Sequence, residues 1–336
     1  MFLAMHIPDG FLDPVTAAVT TLISAAAIAY CFVRLRNQAG SRLAPLVGIT
    51  AAAIFAAQMV NFTLIGLQTS GHLMGGVLAA VVLGPWAGAV AITSVLFVQC
   101  FLFADGGVTA LGANVLNMGV IGAVVGYGVY SVLRRLIGGS RGAIIAATLA
   151  SWIIVPCSAL AFAVEMAAGG EIPLMPVMTL MLFYHIWIGL GEAVLTGFAV
   201  SWLVRVRPDL IYDPAAGPRE FGRTRQLVVG GLAAALAIVI FAAPWASEFE
   251  DGLEKVASYL KFDRRATQLA AAPLADYTLP RVGAEGDRHG GWIIQTAGVV
   301  TAIAGTIGTL VTLAFALIVS SSVQFASRRT RTVHAS

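Results

Sequence analysis

Lysine is almost missing from this chain of 336 residues: only Lys255 and Lys261 occur. Neither stands in a GxxxxGK[ST] run, so the chain has no P-loop of its own, and any ATP-driven step must draw on a partner. The absence of HExxH removes the commonest metalloprotease motif. Charge of either sign is scarce, at 11% of residues, and a net balance of +3 does not imply a nucleic-acid partner. Cys31, Cys100 and Cys157 are scattered through apolar segments without CxxC spacing. They read as small apolar fillers, and neither a zinc site nor a disulfide framework follows. No positive n-region precedes the first long apolar run, which begins after Asp13-Pro14, so that run is expected to remain as a span and not to be cleaved as a secretory signal.

What is abundant is apolar length. Hydrophobic residues make up 58% of the chain and the mean hydropathy is +0.87, far outside the soluble range. The fold class this implies is all-α, a polytopic membrane helix bundle. A spanning helix needs about 20 mostly apolar residues. On that basis spans are expected near 15–33, 44–66, 72–84, 86–104, 110–133, 143–168, 177–204, 227–245 and 291–320, nine in all. The stretch 72–104 reads either as one tilted helix or as two short ones broken at Gly84-Pro85, and the arginines favour two. Arg34, Arg36 and Arg42, then Arg134, Arg135 and Arg141, then Arg205, Arg207, Arg219, Arg223 and Arg225, and finally Arg328, Arg329 and Arg331 all fall in connections on one side of a nine-span chain. The positive-inside rule makes that side the cytoplasm, which puts the N-terminus, the loop before His72 and the segment 246–290 outside and the C-terminus inside.

The segment 246–290 differs in kind. It carries Glu248, Glu250, Asp251, Glu254, Lys255, Asp263, Arg264 and Arg265, and so reads as a solvated loop between the last two spans. Three regions are expected: a seven-helix core over 5–205, a cytoplasmic linker over 206–226, and a two-helix module over 227–325. Small residues recur at helical spacing in Gly71/Gly75, Gly122/Gly126, Ala52/Ala56 and Ala53/Ala57. Such pairs let helix backbones approach closely; internal packing is the plain reading, and docking of another membrane protein on the alanine face of the second span is the sharper one.

Polar residues in this setting stand out. His6 and His72 sit at the edges of long apolar segments on the same expected side, His72 among glycines. A lone histidine there is usually a hydrogen-bonded boundary residue, but Met5-His6 adds other chemistry. When histidine is the second residue of a chain, the terminal amine, the next amide nitrogen and the imidazole can close fused chelate rings. An all-nitrogen plane of that kind suits Ni(II), Cu(II) or low-spin Co(II), with His72 as fourth donor. This version requires a functional chain beginning at Met5, four residues after Met1. Asn61, Asn114 and Asn117 are amides within apolar stretches, expected either to orient a ligand histidine or to bond between helices. His185 and Glu192, seven residues apart, share one helix face and read equally as a functional or a structural pair. Glu165, His289 and His334 read as boundary or solvated residues.

Six blocks in order carry a family resemblance: Met5-His6-Ile7-Pro8-Asp9-Gly10-Phe11-Leu12, Gln58-Met59-Val60-Asn61-Phe62, Ser70-Gly71-His72-Leu73, Leu83-Gly84-Pro85-Trp86, Leu102-Phe103-Ala104-Asp105-Gly106-Gly107 and Leu111-Gly112-Ala113-Asn114. Over about residues 5–205 the chain resembles the NikM/CbiM family, the nickel/cobalt-binding membrane component of energy-coupling-factor transporters. The distal part is similar to an accessory subunit of the NikN type, with Glu250 where its Pro-Asp-Gly-Leu-Glu signature has proline. The resemblance implies a metal site of Met5, His6 and His72 with Asn61 nearby, and Ni(II) or Co(II) as cargo in a multi-pass subunit of the bacterial plasma membrane. It also implies partners: a transmembrane coupling subunit (NikQ/CbiQ-like) and cytoplasmic ATPases (NikO/CbiO-like). Nickel is favoured slightly over cobalt, whose import would serve cobalamin biosynthesis. A proton-coupled secondary metal transporter working through His185 and Glu192 is the alternative, and no constellation points to an enzyme.

Overall fold

The computed structural model of the chain describes residues 6–38, 43–139, 141–170, 172–214, 224–279 and 290–333. Helix dominates because backbone in a hydrocarbon medium must satisfy its own N–H and C=O groups, which an unbroken helix does. α1 (Pro14–Gln38) and α2 (Leu43–Gln58) lead to a hairpin in which β1 (Phe62–Leu64) pairs antiparallel with β2 (Thr69–Gly71). α3 (Gly76–Leu83) and α4 (Pro85–Phe103) follow. One continuous rod joins α5 (Leu111–Asn114), wide π-type turns over Val115–Val125, and α6 (Gly126–Ile137). α7 (Gly142–Ala168) and α8 (Leu174–Val206) pack side by side. The remainder comprises α9 (Thr224–Ala237), whose apolar stretch runs on to Trp245, the short α10 (Gly252–Leu260), and α11 (Gly290–Val333).

The all-α membrane bundle is as expected, but the number of full-length spans is not. Among the described residues seven helical stretches are long and apolar enough to cross a bilayer. The shortfall lies at 44–66 and 72–84. α2 has 16 residues and α3 has 8, or about 24 and 12 Å of helix against a hydrocarbon core of about 30 Å. Between them residues 59–75 leave the helix. Phe62, Thr63 and Leu64 pair with Gly71, Ser70 and Thr69 across a turn that includes Gly66 at φ 90°, and Ser70 N–H donates to the Glu250 carbonyl at 2.8 Å. Backbone bonds from a distant loop therefore replace those a longer helix would have made.

The stretch 72–104 resolves into two helices. Gly84, at φ 87°, donates its N–H to the Ala80 carbonyl and ends α3, and Pro85 opens α4 where its missing N–H costs nothing. The two helices then fold back closely, because a Cβ on Gly88 would stand 2.9 Å from the Ala80 backbone. Ala52 and Ala56 are wholly buried within this chain, and α2 packs on α11, with Gly48 under Leu317 and Gly308 under Phe55. Gly122 likewise receives Gly76 of α3, whose Cβ would lie 2.5 Å away. Outward faces are apolar, Phe198 being 75% and Trp202 55% exposed, as lipid-facing positions are.

The loops collect at two ends. At one, Arg34 stacks on Trp86, and Tyr212 donates its N–H to the Val81 carbonyl beside the Gly84 turn. Arg134, Arg135, Arg205 and Arg225 also stand at helix ends on this side. At the other, the segment before α1, the β hairpin, the loop after α4 and residues 246–279 bond to one another.

Candidate functional site

The end opposite those helix-end arginines is built on the segment His6-Ile7-Pro8-Asp9-Gly10. Asn114 clamps it: Ile7 N–H donates to Asn114 Oδ1 at 3.0 Å, and Asn114 Nδ2 donates to the Ile7 carbonyl at 3.1 Å. Gly107 N–H donates to the same carbonyl at 2.8 Å, while Asp9 Oδ1 accepts from Thr109 N–H and Oγ1–H at 2.7 and 2.6 Å. A Cβ on Gly107 would overlap the Asp9 amide at 2.2 Å, so this close approach requires glycine.

Held in this way, His6 is 2% exposed. Its Nδ1 lies 2.9 Å from Asp105 Oδ1, and its Nε2 is buried without a hydrogen-bond partner. Asp105 Oδ2 in turn accepts from the Tyr277 hydroxyl at 2.7 Å. Burial alone would raise the Asp105 carboxyl, but the adjoining His6 ring, the hydrogen bonds from His6 and Tyr277, and the more distant His72 together carry it below the usual carboxylate range. Burial, then the Asp105 charge, hold the Tyr277 phenol well above its ordinary value, so it stays a donor.

His72 enters from the end of β2, its ring centroid 5.5 Å from that of His6 and tilted by 56°. Its Nδ1 lies 3.1 Å from the Leu73 carbonyl. The next two amides leave the regular structure and are satisfied by a carboxylate, Met74 N–H and Gly75 N–H donating to Glu192 at 2.6 and 3.0 Å. Gln58 Nε2 donates to the Met74 carbonyl at 3.1 Å and so fixes the same segment from α2.

A cavity of about 110 Å³ opens between these parts. His6, His72 and His185 all line it, and His185 Nδ1 lies 2.8 Å from the Met181 carbonyl. Asn114, Asn117 and apolar side chains of α7 and α8 complete most of the wall, and Asp251, Gly252 and Leu253 complete the rest. These three belong to the Glu250-Asp251-Gly252-Leu253-Glu254 run, whose form now has a physical reason. Asp251 and Glu254 make a reciprocal capping box at the start of α10, while a Cβ on Gly252 would stand 2.9 Å from the His185 ring. Burial comes first, and the neighbouring carboxylates second, in raising both acids of that box.

Met5 lies outside the described residues, as do His289 and His334. Asn61 is not part of the cavity; its carbonyl accepts from Ser247 N–H at 2.9 Å. Asn114 holds the peptide beside His6 and leaves the ring to Asp105. Asn117 donates to Glu165 Oε2 at 2.8 Å, so Glu165, read from sequence as a boundary residue, is a buried partner. His185 and Glu192 share α8 but bond to different partners, and of the two only His185 reaches the cavity. Sequence reasoning missed Asp105 and Tyr277. An acid set between an apolar helix and two glycines was a signal for the first; the second is one aromatic residue in a long loop and gave none. Among the described residues no three His, Cys, Asp or Glu side chains stand close enough to hold a metal ion by themselves.

A family model described as the cobalt uptake substrate-specific transmembrane region, CbiM, matches residues 6–210. The chain belongs to the CbiM family. A PDGLE domain matches residues 225–324, so the family core is fused here to a second, NikN-like module. An Archaeoglobus fulgidus protein whose provisional name is fused nickel transport protein NikMN is 38% identical over 312 residues, covering 92% of this chain and 96% of its own. The fused nickel transport protein NikMN of Rhodobacter capsulatus is 39% identical over 237 residues, covering 64% of this chain and 67% of its own. A crystal structure of a truncated transition metal transporter superposes with a TM-score of 0.54 at 31% identity, covering 60% of this chain and 98% of that one. The chain is thus a multi-pass membrane protein of a nickel and cobalt transport family.

Proposed function

We propose that this chain captures Ni(II), with Co(II) close behind, in the His6/His72 cavity, as the substrate-binding subunit of an ATP-driven importer of the energy-coupling-factor type. The observation that carries the reading is His6 Nε2, an imidazole nitrogen buried without a partner in the wall of a cavity that holds a second imidazole. An unsatisfied buried polar atom costs about 1–3 kcal/mol, and a divalent cation removes that cost. Imidazole suits nickel and cobalt alike, and the fused relatives are named for nickel.

The ligand set proposed is His6, His72 and the main-chain nitrogens of Met5 and His6. One ring nitrogen of His6 faces Asp105 and the other the cavity. Closing a chelate ring with its own amide takes Nδ1, the nitrogen now beside Asp105, so on binding the ring turns and its two nitrogens exchange roles between Asp105 and the ion. Asp105 is the outer partner of His6, and Asn114 fixes the peptide that follows. Binding releases protons from amine, amide and imidazole, so affinity rises between about pH 5 and 8. The chain carries no P-loop, and ATP acts through NikO/CbiO-like ATPases and a NikQ/CbiQ-like coupling subunit.

The test is cellular accumulation of nickel and cobalt, each competed against the other, in cells expressing the chain with those partners. His72→Ala is expected to abolish uptake at unchanged protein level, and omission of the ATPases to do the same. Uptake that survives without the ATPases and collapses with the proton gradient would replace this reading with a secondary transporter.

A further inference from the structure

One carboxylate of the site binds a residue from each module. Asp105, in the loop after α4, spends one oxygen on the His6 ring at 2.9 Å and the other on the Tyr277 hydroxyl at 2.7 Å. Tyr277 lies in the sequence that matches the PDGLE domain, while His6 and Asp105 lie in the part that matches the family core. Its ring is fixed independently of the hydroxyl. It stacks on Phe103 with centroids 4.4 Å apart and planes within 17°, and the Leu274 N–H beside it donates to the Leu102 carbonyl at 2.9 Å. The hydroxyl is thus delivered to Asp105 by a surface that both modules build.

We infer that Tyr277 is a positioning residue for the cargo ion, holding Asp105 in the orientation that anchors the His6 ring, so that the second module sets how tightly the first binds its metal. The inference rests on the His6/His72 reading given above. A carboxylate that accepts the far N–H of a ligand histidine fixes ring orientation and tautomer and raises the basicity of the ligating nitrogen, and loss of such a partner typically weakens metal affinity by about 10–100-fold. A carboxylate fulfils that role only while its own orientation is fixed. Asp105 is 2% exposed, and removing the hydroxyl takes away one of the donors that orient its carboxylate. The carboxylate is then held less firmly, and the imidazole with it.

The experiment is a Ni(II) titration of the purified full-length chain, comparing wild type with Tyr277→Phe, Asp105→Asn and the double variant. Tyr277→Phe keeps the ring that stacks on Phe103 and removes only the hydroxyl. It is expected to raise the Ni(II) Kd by about 10-fold, Asp105→Asn by at least as much, and the double variant by no more than Asp105→Asn alone, because the two residues act in series. The ligand-field absorption of bound Ni(II) is expected to be the same in Tyr277→Phe as in wild type, since the donor atoms do not change. Equal Kd values for wild type and Tyr277→Phe would overturn this inference alone, as would full additivity in the double variant. A wild type that binds no Ni(II) would overturn it together with the reading beneath it.

Discussion

Asn114 shows how much one side chain does here. Its amide answers both the N–H and the C=O of Ile7, a residue 4% exposed, and so fixes the peptide that follows the candidate ligand. Asn114→Ala leaves an N–H without a partner in a buried place, at a cost of about 1–3 kcal/mol, and lets His6 drift. Lower thermal stability and weaker Ni(II) binding together are the expected result; unchanged values of both would show that the segment is held by Asp9 and Gly107 alone. His6 and His72 stood out in the sequence because histidine is rare in this chain and these two sit at the edges of apolar runs. Their partners stood out less. Asn114 was expected either to orient a ligand histidine or to bond between helices, and it grips the Ile7 peptide, because a span amide announces that it is bonded, not to what. Glu165 and Asn117 satisfy each other across two helices that sequence does not show to be adjacent.

Among elements, the segment after β2 is the one to test. Met74 and Gly75 lie between a strand and a helix, and Glu192 caps them with one oxygen each. Glu192→Gln keeps the shape but offers one acceptor oxygen and one NH₂ in place of two acceptors, so one of the two amides loses its partner, again at about 1–3 kcal/mol. Faster amide exchange confined to residues 72–76 is the expected signature. The turn between α3 and α4 is equally specific. At Gly84, with φ 87°, an alanine would be strained by about 1–2 kcal/mol and its Cβ would meet the Tyr212 ring at 2.8 Å, so Gly84→Ala is expected to lower thermal stability while Gly128→Ala, in open space, does not. At the start of α1, hydrogen bonds from Thr16, then Val15, hold the Asp13 carboxyl below its ordinary value. A lowered folded-state value means the cap helps above the ordinary carboxylate range and is lost as pH falls through its folded-state pKa, so fraying at Val15 and Thr16 should begin only below about pH 4. Long apolar runs were legible as helices almost everywhere. The exceptions are 59–66 and 72–75, expected inside spans but drawn out of the helix by a hairpin whose Thr69 and Ser70 bond to the carbonyls of Phe249 and Glu250, and no local pattern reports a contact of that sequence separation.

On the scale of the whole molecule, Arg34, Arg134, Arg135, Arg205 and Arg225 at helix ends on one side and the site on the other give the bundle a direction. The positive-inside rule places the cavity on the outer side, which is where the proposed function needs the ion to enter. The second module is packed into the first: α11 lies against α2 and α4, and Phe55 fills the space that Gly308 leaves open, where an added Cβ would stand 2.2 Å from the ring. Gly308→Val overpacks that contact at a cost of about 1–3 kcal/mol and is expected to reduce metal uptake without touching a ligand; normal uptake would mean that the modules tolerate displacement. That two modules exist was readable from the change of composition at residue 246. That the second supplies a wall of the cavity and a hydrogen bond to Asp105 was not, since both depend on how the loop folds back over the bundle. The most direct test of the central claim is the nickel content of the purified full-length chain after equilibration with Ni(II), for wild type, His6→Ala and His72→Ala. The account predicts one ion per wild-type chain and its loss in both variants with helix content intact. Stoichiometric nickel retained in His72→Ala would contradict it.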